Sequence, residues 1–585
     1  MIKLFKNFKK KDIVLILLST ALIAFQVFLD LKMPDYMSEI TRLVQSSNSS
    51  LNDILIQGLY MILCALGSLL SAVFTGYFIS NAAASFSYTV RKKLFNKVEN
   101  LSIAEVKKFS TSSLITRTTN DITQIQMFIA MGLQILIKSP ITAVWAITKI
   151  LNKSFEWSTL TAIAVVILLT TVAILISIVV PKFKVIQKLT DKINSLTREN
   201  LTGIRVVRAF NAEKYQENKF EKTNTSLTDI QTFNQKAFAT MQPIMYLVLY
   251  FLTLSIYFIG AKLINDALMV DKIEIFSNMV VFSSYAMQVI FSFLMLAFVI
   301  VMMPRAQVSA SRINEVLETK ESIIDGNDEK EVTEIGTVEF KNVSFKYPDA
   351  QEYLLENVSF KVNKGETVAF IGSTGSGKST LINLIPRFYD VTSGEVLVDN
   401  VNVKEYRQET LRNKIGYVSQ RPTIFNGSVK SNITFGDNGK KEISEQLMMQ
   451  SASVAQASEF IDKLEDKYES FIAASGTNIS GGQKQRLSIA RAIARDPEIY
   501  IFDDSFSALD YKTDSTLRKE LKKHTSNATT LIVAQRIGTI LNADKIVVLD
   551  NGKVVGIGTH KQLLSKCKVY KQIAESQLSR KELEK

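Results

Sequence analysis

Two cysteines in 585 residues are too few for a disulfide framework or a thiolate metal site. Cys64 lies in an apolar run and Cys567 near the C-terminus, with no ligand spacing around either, so both are expected as free thiols. Net positive charge is missing from the second half. Residues 1–320 carry 33 Lys and Arg against 20 Asp and Glu, and the rest carry 36 of each sign, so the whole excess of +13 sits in the first part. A nucleic-acid binder concentrates basic residues on a soluble domain, where they neutralise phosphates, so no nucleic-acid partner is expected. A convincing small-residue cleavage site is also missing after the basic start (Lys3, Lys6, Lys9, Lys10, Lys11) and the apolar run Ile13–Leu29. With five more apolar segments following, the run reads as a first membrane span rather than a signal peptide.

Apolar residues make up 47% of the chain. Stretches of the ~20 residues that a bilayer requires centre on 13–44, 54–81, 126–150, 158–180, 240–265 and 275–303. An even number of spans puts both ends on one side. Segments 82–125 and 181–236 are long and basic, with Arg91, Lys92, Lys93, Lys182, Lys184, Arg205 and Arg208, whereas the alternate loops carry only Lys153 and Lys272. By the positive-inside rule the N-terminus, the long segments and the C-terminal domain are cytoplasmic, in a multi-pass protein of the plasma membrane. Ile193, Leu196, Leu201, Ile204, Val207 and Phe210 recur at helical spacing, so the long segments read as extensions of the membrane helices, with a small separate domain as the alternative.

The expected organisation is an α-helical membrane domain at 1–318, a charged linker at 319–336, an α/β P-loop nucleotide-binding domain at 337–575 and a polar tail at 576–585. Strand-like runs occur at Val338–Phe345, Thr367–Ile371, Ile499–Phe502, Thr530–Val533 and Lys545–Leu549, and several of them are continuous apolar runs that suit strands buried on both faces of an α/β sheet.

The chemistry sits at the ends of these strands. After Ile371 comes GSTGSGKST, which is Gly372, Ser373, Thr374, Gly375, Ser376, Gly377, Lys378, Ser379 and Thr380, and then an apolar helix. This is a phosphate-binding loop in its required strand–loop–helix context: glycines let backbone N–H groups approach the phosphates, Lys378 reaches the β- and γ-phosphates, and Ser379 holds Mg²⁺. A second strand, IYIFDD, ends in Asp503 and Asp504, and Asp503 is placed to hold the Mg²⁺ shell. Two acids opening a turn are the alternative.

With ISGGQKQR at 479–486 added, the chain resembles an ABC exporter half-transporter, six spans followed by one cassette. The resemblance implies ATP and Mg²⁺ as ligands. It also implies that Tyr347 stacks on adenine, that Gln420 touches Mg²⁺, and that Ser480, Gly481, Gly482 and Gln483 serve a γ-phosphate bound by an opposite subunit. SALD at 507–510 resembles the loop between the two ATP sites, and LTGIRVVRAFNAE at 201–213 the segment that docks on the partner's cassette.

Three departures stand against this pattern. Asp504 occupies the place of the family's catalytic Glu, and Gln535 that of its His. A carboxylate one methylene shorter is withdrawn by roughly 1 Å, a misplacement that can cost ~10²-fold in rate. A carboxamide neither becomes cationic nor shuttles a proton. FIAASGTN at 471–478 also lacks the acidic residue expected near Ala474. Together these suggest the hydrolysis-impaired subunit of a heterodimeric exporter of lipophilic or amphipathic compounds, paired with a competent half-transporter. Lipid or peptide export, or an ATP-sensing regulatory subunit, are the alternatives. Phe291, Met295, Phe298 and Met302 at helical spacing suggest an apolar cavity or plain packing. Lys138, costly in hydrocarbon, reads as a substrate or gate contact or as half of an interhelical ion pair, whereas Asp30 and Lys32 are expected nearer the outer interface.

Overall fold

The computed structural model describes residues 1–45, 49–151, 155–268, 271–328, 332, 334–436, 439–440 and 442–578. Lys153, the side chain of Lys184 and all but the first three residues of the 576–585 tail lie outside them. The chain forms two compact units, one of residues 1–99 and 111–319, the other of residues 100–110 and 320–585.

The first unit is built from α1 (Lys10–Gln45), α2 (Leu51–Asn100), α4 (Thr111–Leu151), α5 (Phe155–Thr202), α7 (Glu213–Asp266) and α8 (Lys272–Leu317), each apolar and long enough to span a bilayer. Two short helices interrupt the series, α3 (Ile103–Phe109) and α6 (Ile204–Ala209). At 1.5 Å per residue, α2 runs about 75 Å against a hydrocarbon core of about 30 Å. Among the described residues α2 and α5 thus run on into the basic segments, which are helical except where the short helices α3 and α6 break them. Ile23, Val27 and Leu31 of α1, Trp157 of α5, Ile256 of α7 and Phe282 and Tyr285 of α8 share one buried cluster.

Polar side chains in this unit meet one another. Lys138 of α4 pairs with Asp30 of α1 at 3.3 Å, and Asp30 also accepts from Ser68 of α2. Lys149 lies 2.8 Å from Asp35, which further accepts from the Tyr285 hydroxyl. Lys138 is thus half of an interhelical ion pair, and Asp30 is bound to two neighbouring helices.

In the second unit one sheet has the order β10–β9–β3–β8–β7–β6, from strands β3 (Thr367–Gly372), β6 (Ile415–Val418), β7 (Ile499–Asp503), β8 (Thr529–Val533), β9 (Lys545–Asp550) and β10 (Lys553–Gly558). All neighbours are parallel except the β9–β10 edge. β7 and β8 are buried at every residue, which is why their sequences are unbroken apolar runs. The run at 338–345 belongs elsewhere. It is β1 (Val338–Phe345) of an antiparallel sheet with β2 (Leu355–Val362), β4 (Ser393–Val398) and β5 (Val401–Asn402), and its Lys341 and Asn342 are exposed. Part of the charged linker is tied down. Asp325 accepts from the Gln408 N–H and side chain, and Asp328 from the Arg407 N–H and Thr410 hydroxyl, at the start of helix α10 (Gln408–Asn413).

Candidate nucleotide site

β3 delivers the chain into the phosphate-binding loop, and helix α9 (Lys378–Asn383) leaves it. The loop needs glycine at both ends. A Cβ at Gly372 would collide with the Leu549 carbonyl, and Gly377, at φ +93°, has left-handed backbone. Lys378 folds back to donate to the carbonyls of Gly372 (2.9 Å) and Ser373 (2.7 Å) and to the Ser376 hydroxyl (3.3 Å). Burial lowers its pKa, against the pull of Asp504 and Asp503. Its ammonium therefore sits inside the loop, held by oxygen acceptors that a polyphosphate's own oxygens could replace. Thr374 and Gly375 form the exposed tip of this loop.

β7 brings in the carboxylates. Asp503 accepts a 2.8 Å hydrogen bond from Ser379, so hydroxyl and carboxylate already share the position where a hard cation with oxygen ligands fits. Asp504 follows in left-handed backbone, φ +47°, with its N–H bonded to Val533 of β8. Burial raises the pKa of both acids. The two altered positions touch: Gln535 donates to Asp504 Oδ2 at 2.9 Å, and Gln420 donates to the same oxygen at 3.3 Å.

Tyr347 lies at the edge of this site, its hydroxyl 2.9 Å from Thr380 Oγ1 and its ring perpendicular to that of Tyr389. Ser480 caps helix α11 (Gly481–Ala494) in a capping box, in which Gln483 donates its N–H to Ser480 Oγ and accepts the Ser480 N–H. Gly481 and Gly482 form the first turn of that helix. Upstream, Asn478 braces 471–478 by accepting from the Ala473 N–H and donating to the Phe471 carbonyl.

Two features escaped the sequence reading. Gln577, at the end of the helix Lys568–Gln577, donates to the Gln535 carbonyl and accepts from the Ile537 N–H, so residues taken for tail clamp the Gln535 loop. Nothing local in the sequence signals it. Helix α3 packs within the second unit although its neighbours in sequence belong to the first. Its capping box, Ser102 and Glu105, was legible before the run of apolar and basic residues.

In the first unit a cavity of about 520 Å³ opens between α7 and α8, lined by Gln235, Phe238, Met241, Gln242, Met245, Tyr246 and Leu249 on one side and by Ile290, Phe291, Leu294, Ala297 and Phe298 on the other. The expected stripe divides: Phe291 and Phe298 line the cavity, while Met302 packs with Phe128, Val299 and Ala306. Around the short helix α6, Leu201, Val206, Phe210 and Tyr215 are exposed.

Residues 16–293 match the ABC transporter transmembrane region, and residues 355–507 match the ABC transporter family. The chain is 38% identical, over 88% of its length and 87% of the relative's, to an uncharacterized ABC transporter ATP-binding protein of Mycobacterium tuberculosis. It is 33% identical, over 85% and 84%, to YgaD of Bacillus subtilis, provisionally named a multidrug export ATP-binding/permease protein. A solved bacterial Atm1-family ABC exporter with ATP bound shares the fold, with a TM-score of 0.80, 23% identity and coverage of 97% and 98% of the two chains. With both regions matched in order along the chain, this protein belongs to the ABC transporter family: a multi-pass half-transporter with a cytoplasmic ATP-binding cassette, whose described residues include six helices long and apolar enough to cross a membrane.

Proposed function

We propose that this chain is the ATP-holding, hydrolysis-impaired subunit of a heterodimeric exporter for lipophilic or amphipathic compounds. The observation that carries the reading is the convergence of Gln535 and Gln420 on one oxygen of Asp504. A general base must reach the proton it removes; here the carboxylate is short, and one oxygen is already engaged by two carboxamides. Gln535 supplies a neutral donor where the family carries a titratable imidazole.

In this reading ATP lies along Gly372–Thr380 with its base on Tyr347. Ser379, Asp503 and Gln420 hold Mg²⁺, which screens the phosphate charge, and Lys378 swings from its backbone carbonyls to the β- and γ-phosphates. Ser480–Gln483 complete the partner's competent site, where cleavage occurs. The exposed apolar knuckle at 201–215 is the surface for the partner's cassette. ATP drives the cycle because it binds the closed pair better than the open one. The cavity between α7 and α8 supports an amphipathic cargo: its walls are aromatic and aliphatic, with two carboxamides and a phenol for orientation, and the relative named for multidrug export favours the same class.

The test is ATP turnover by the purified chain alone and together with a competent half-transporter. The reading expects slow turnover alone and substrate-stimulated turnover in the pair. Brisk hydrolysis by the lone chain refutes it, and stimulation without vesicle transport points to the ATP-sensing regulator instead.

A further inference from the structure

Helix α3 reaches the nucleotide site from a segment that lies in sequence between two membrane-spanning helices. Its start is fixed by the Ser102–Glu105 capping box, and Glu105 also bonds Ser322. Ala104, like Tyr347 and Phe388, packs against one buried core, and Lys107, three residues on, lies on the same helical face. The Lys107 ammonium stands 5.8 Å from the centroid of the Tyr347 ring and 6.0 Å from that of Tyr389. It donates to the Tyr389 hydroxyl at 3.3 Å. The two rings are mutually perpendicular, 5.2 Å apart; the hydroxyl contact puts the ammonium off the end of the Tyr389 ring, so the π system it is attracted by is that of Tyr347. Among the described residues no carboxylate forms a salt bridge with Lys107, and its charge remains available at the ring. A base stacked on the Tyr347 face that Lys107 overlies would share that face with this ammonium and offer it a second π system.

We propose that Lys107 is a base-contacting residue of the nucleotide site, so that the 100–110 segment reads the presence of a purine base as distinct from a polyphosphate chain. This rests on the reading that Tyr347 is the base platform.

The experiment measures displacement of a fluorescent ATP analogue from the full-length chain in lipid nanodiscs by ATP and, as a base-free probe, by inorganic tripolyphosphate. Lys107→Met is expected to weaken ATP by roughly three- to ten-fold while leaving tripolyphosphate unchanged, and Lys107→Arg to restore most of the ATP affinity. An unchanged tripolyphosphate affinity also shows that the variant is folded. If Lys107→Met leaves the ATP-to-tripolyphosphate ratio as it was, or weakens both ligands equally, the proposal is overturned. Tyr347→Ala separates the two readings. If it abolishes the base-dependent ratio while Lys107→Met does not, Lys107 alone is wrong; if Tyr347→Ala leaves the ratio intact, the platform reading falls and this proposal with it.

Discussion

Restoring the two altered side chains together should convert a holding site into a hydrolysing one. In the structure Asp504 Oδ2 is 2.9 Å from Gln535 Nε2 and 3.3 Å from Gln420 Nε2. Asp504→Glu advances the carboxylate by roughly 1 Å, worth up to ~10² in rate if geometry alone is limiting, or about 2.7 kcal/mol of barrier. With Gln535 still donating to that carboxylate, the single substitution is expected to recover only about ten-fold. Gln535→His alone is expected to do little, because the short acid still stands too far back. The double variant should gain on the order of 10²–10³, more than the product of the singles, since the two side chains are in contact and should couple. The assay is steady-state phosphate release from the variant chain in nanodiscs, with Lys378→Ala as background. A double variant no faster than the parent would mean that the block lies elsewhere. Purely multiplicative singles would mean that the Gln535–Asp504 contact has no part in it.

Two other perturbations probe the surroundings. Lys138→Met leaves Asp30 without its cation and is expected to destabilise the membrane unit by ~1–3 kcal/mol, below the usual range for a fully buried pair because both side chains are partly exposed. Adding Asp30→Asn should recover most of the loss in thermal unfolding, whereas a substrate-contacting lysine would show no such rescue and would change transport instead. Asp325 is held below its ordinary pKa, chiefly by the Gln408 backbone N–H. A depressed carboxylate contributes stability that is complete above the unfolded value and lost as pH falls through the folded one. Cassette unfolding should therefore become less favourable as pH rises through the acid range, and Asp325→Asn should flatten that dependence.

Much of this molecule was readable because its strongest signals are local. Six apolar stretches, an unbroken run such as Ile499–Phe502 and the glycine spacing of 372–377 each follow from one element's own burial or backbone requirement. The two altered positions were equally plain as residue types. Their contact was not, because Asp504 and Gln535 meet only through the parallel pairing of β7 with β8. The same limit hid Gln577, whose role depends on where a C-terminal helix ends, and left open which sheet Val338–Phe345 joins, since a strand's own residues do not name its partner. The stripe Phe291, Met295, Phe298 and Met302 stayed open between cavity and packing for a related reason: helical spacing puts residues on one face without saying whether that face lines a cavity or, as at Met302, packs on a neighbour. The docking of residues 100–110 within the cassette unit is likewise a matter of long-range packing.

The central claim is most directly tested by the nucleotide retained after turnover. The heterodimer would be loaded with radiolabelled ATP, allowed to cycle, stripped of free nucleotide, and its bound label separated by chromatography. The account predicts uncleaved ATP retained at one site per dimer, lost on Lys378→Ala in this chain. Retained label found only as ADP, or ATP that persists when Lys378 is replaced, would contradict it.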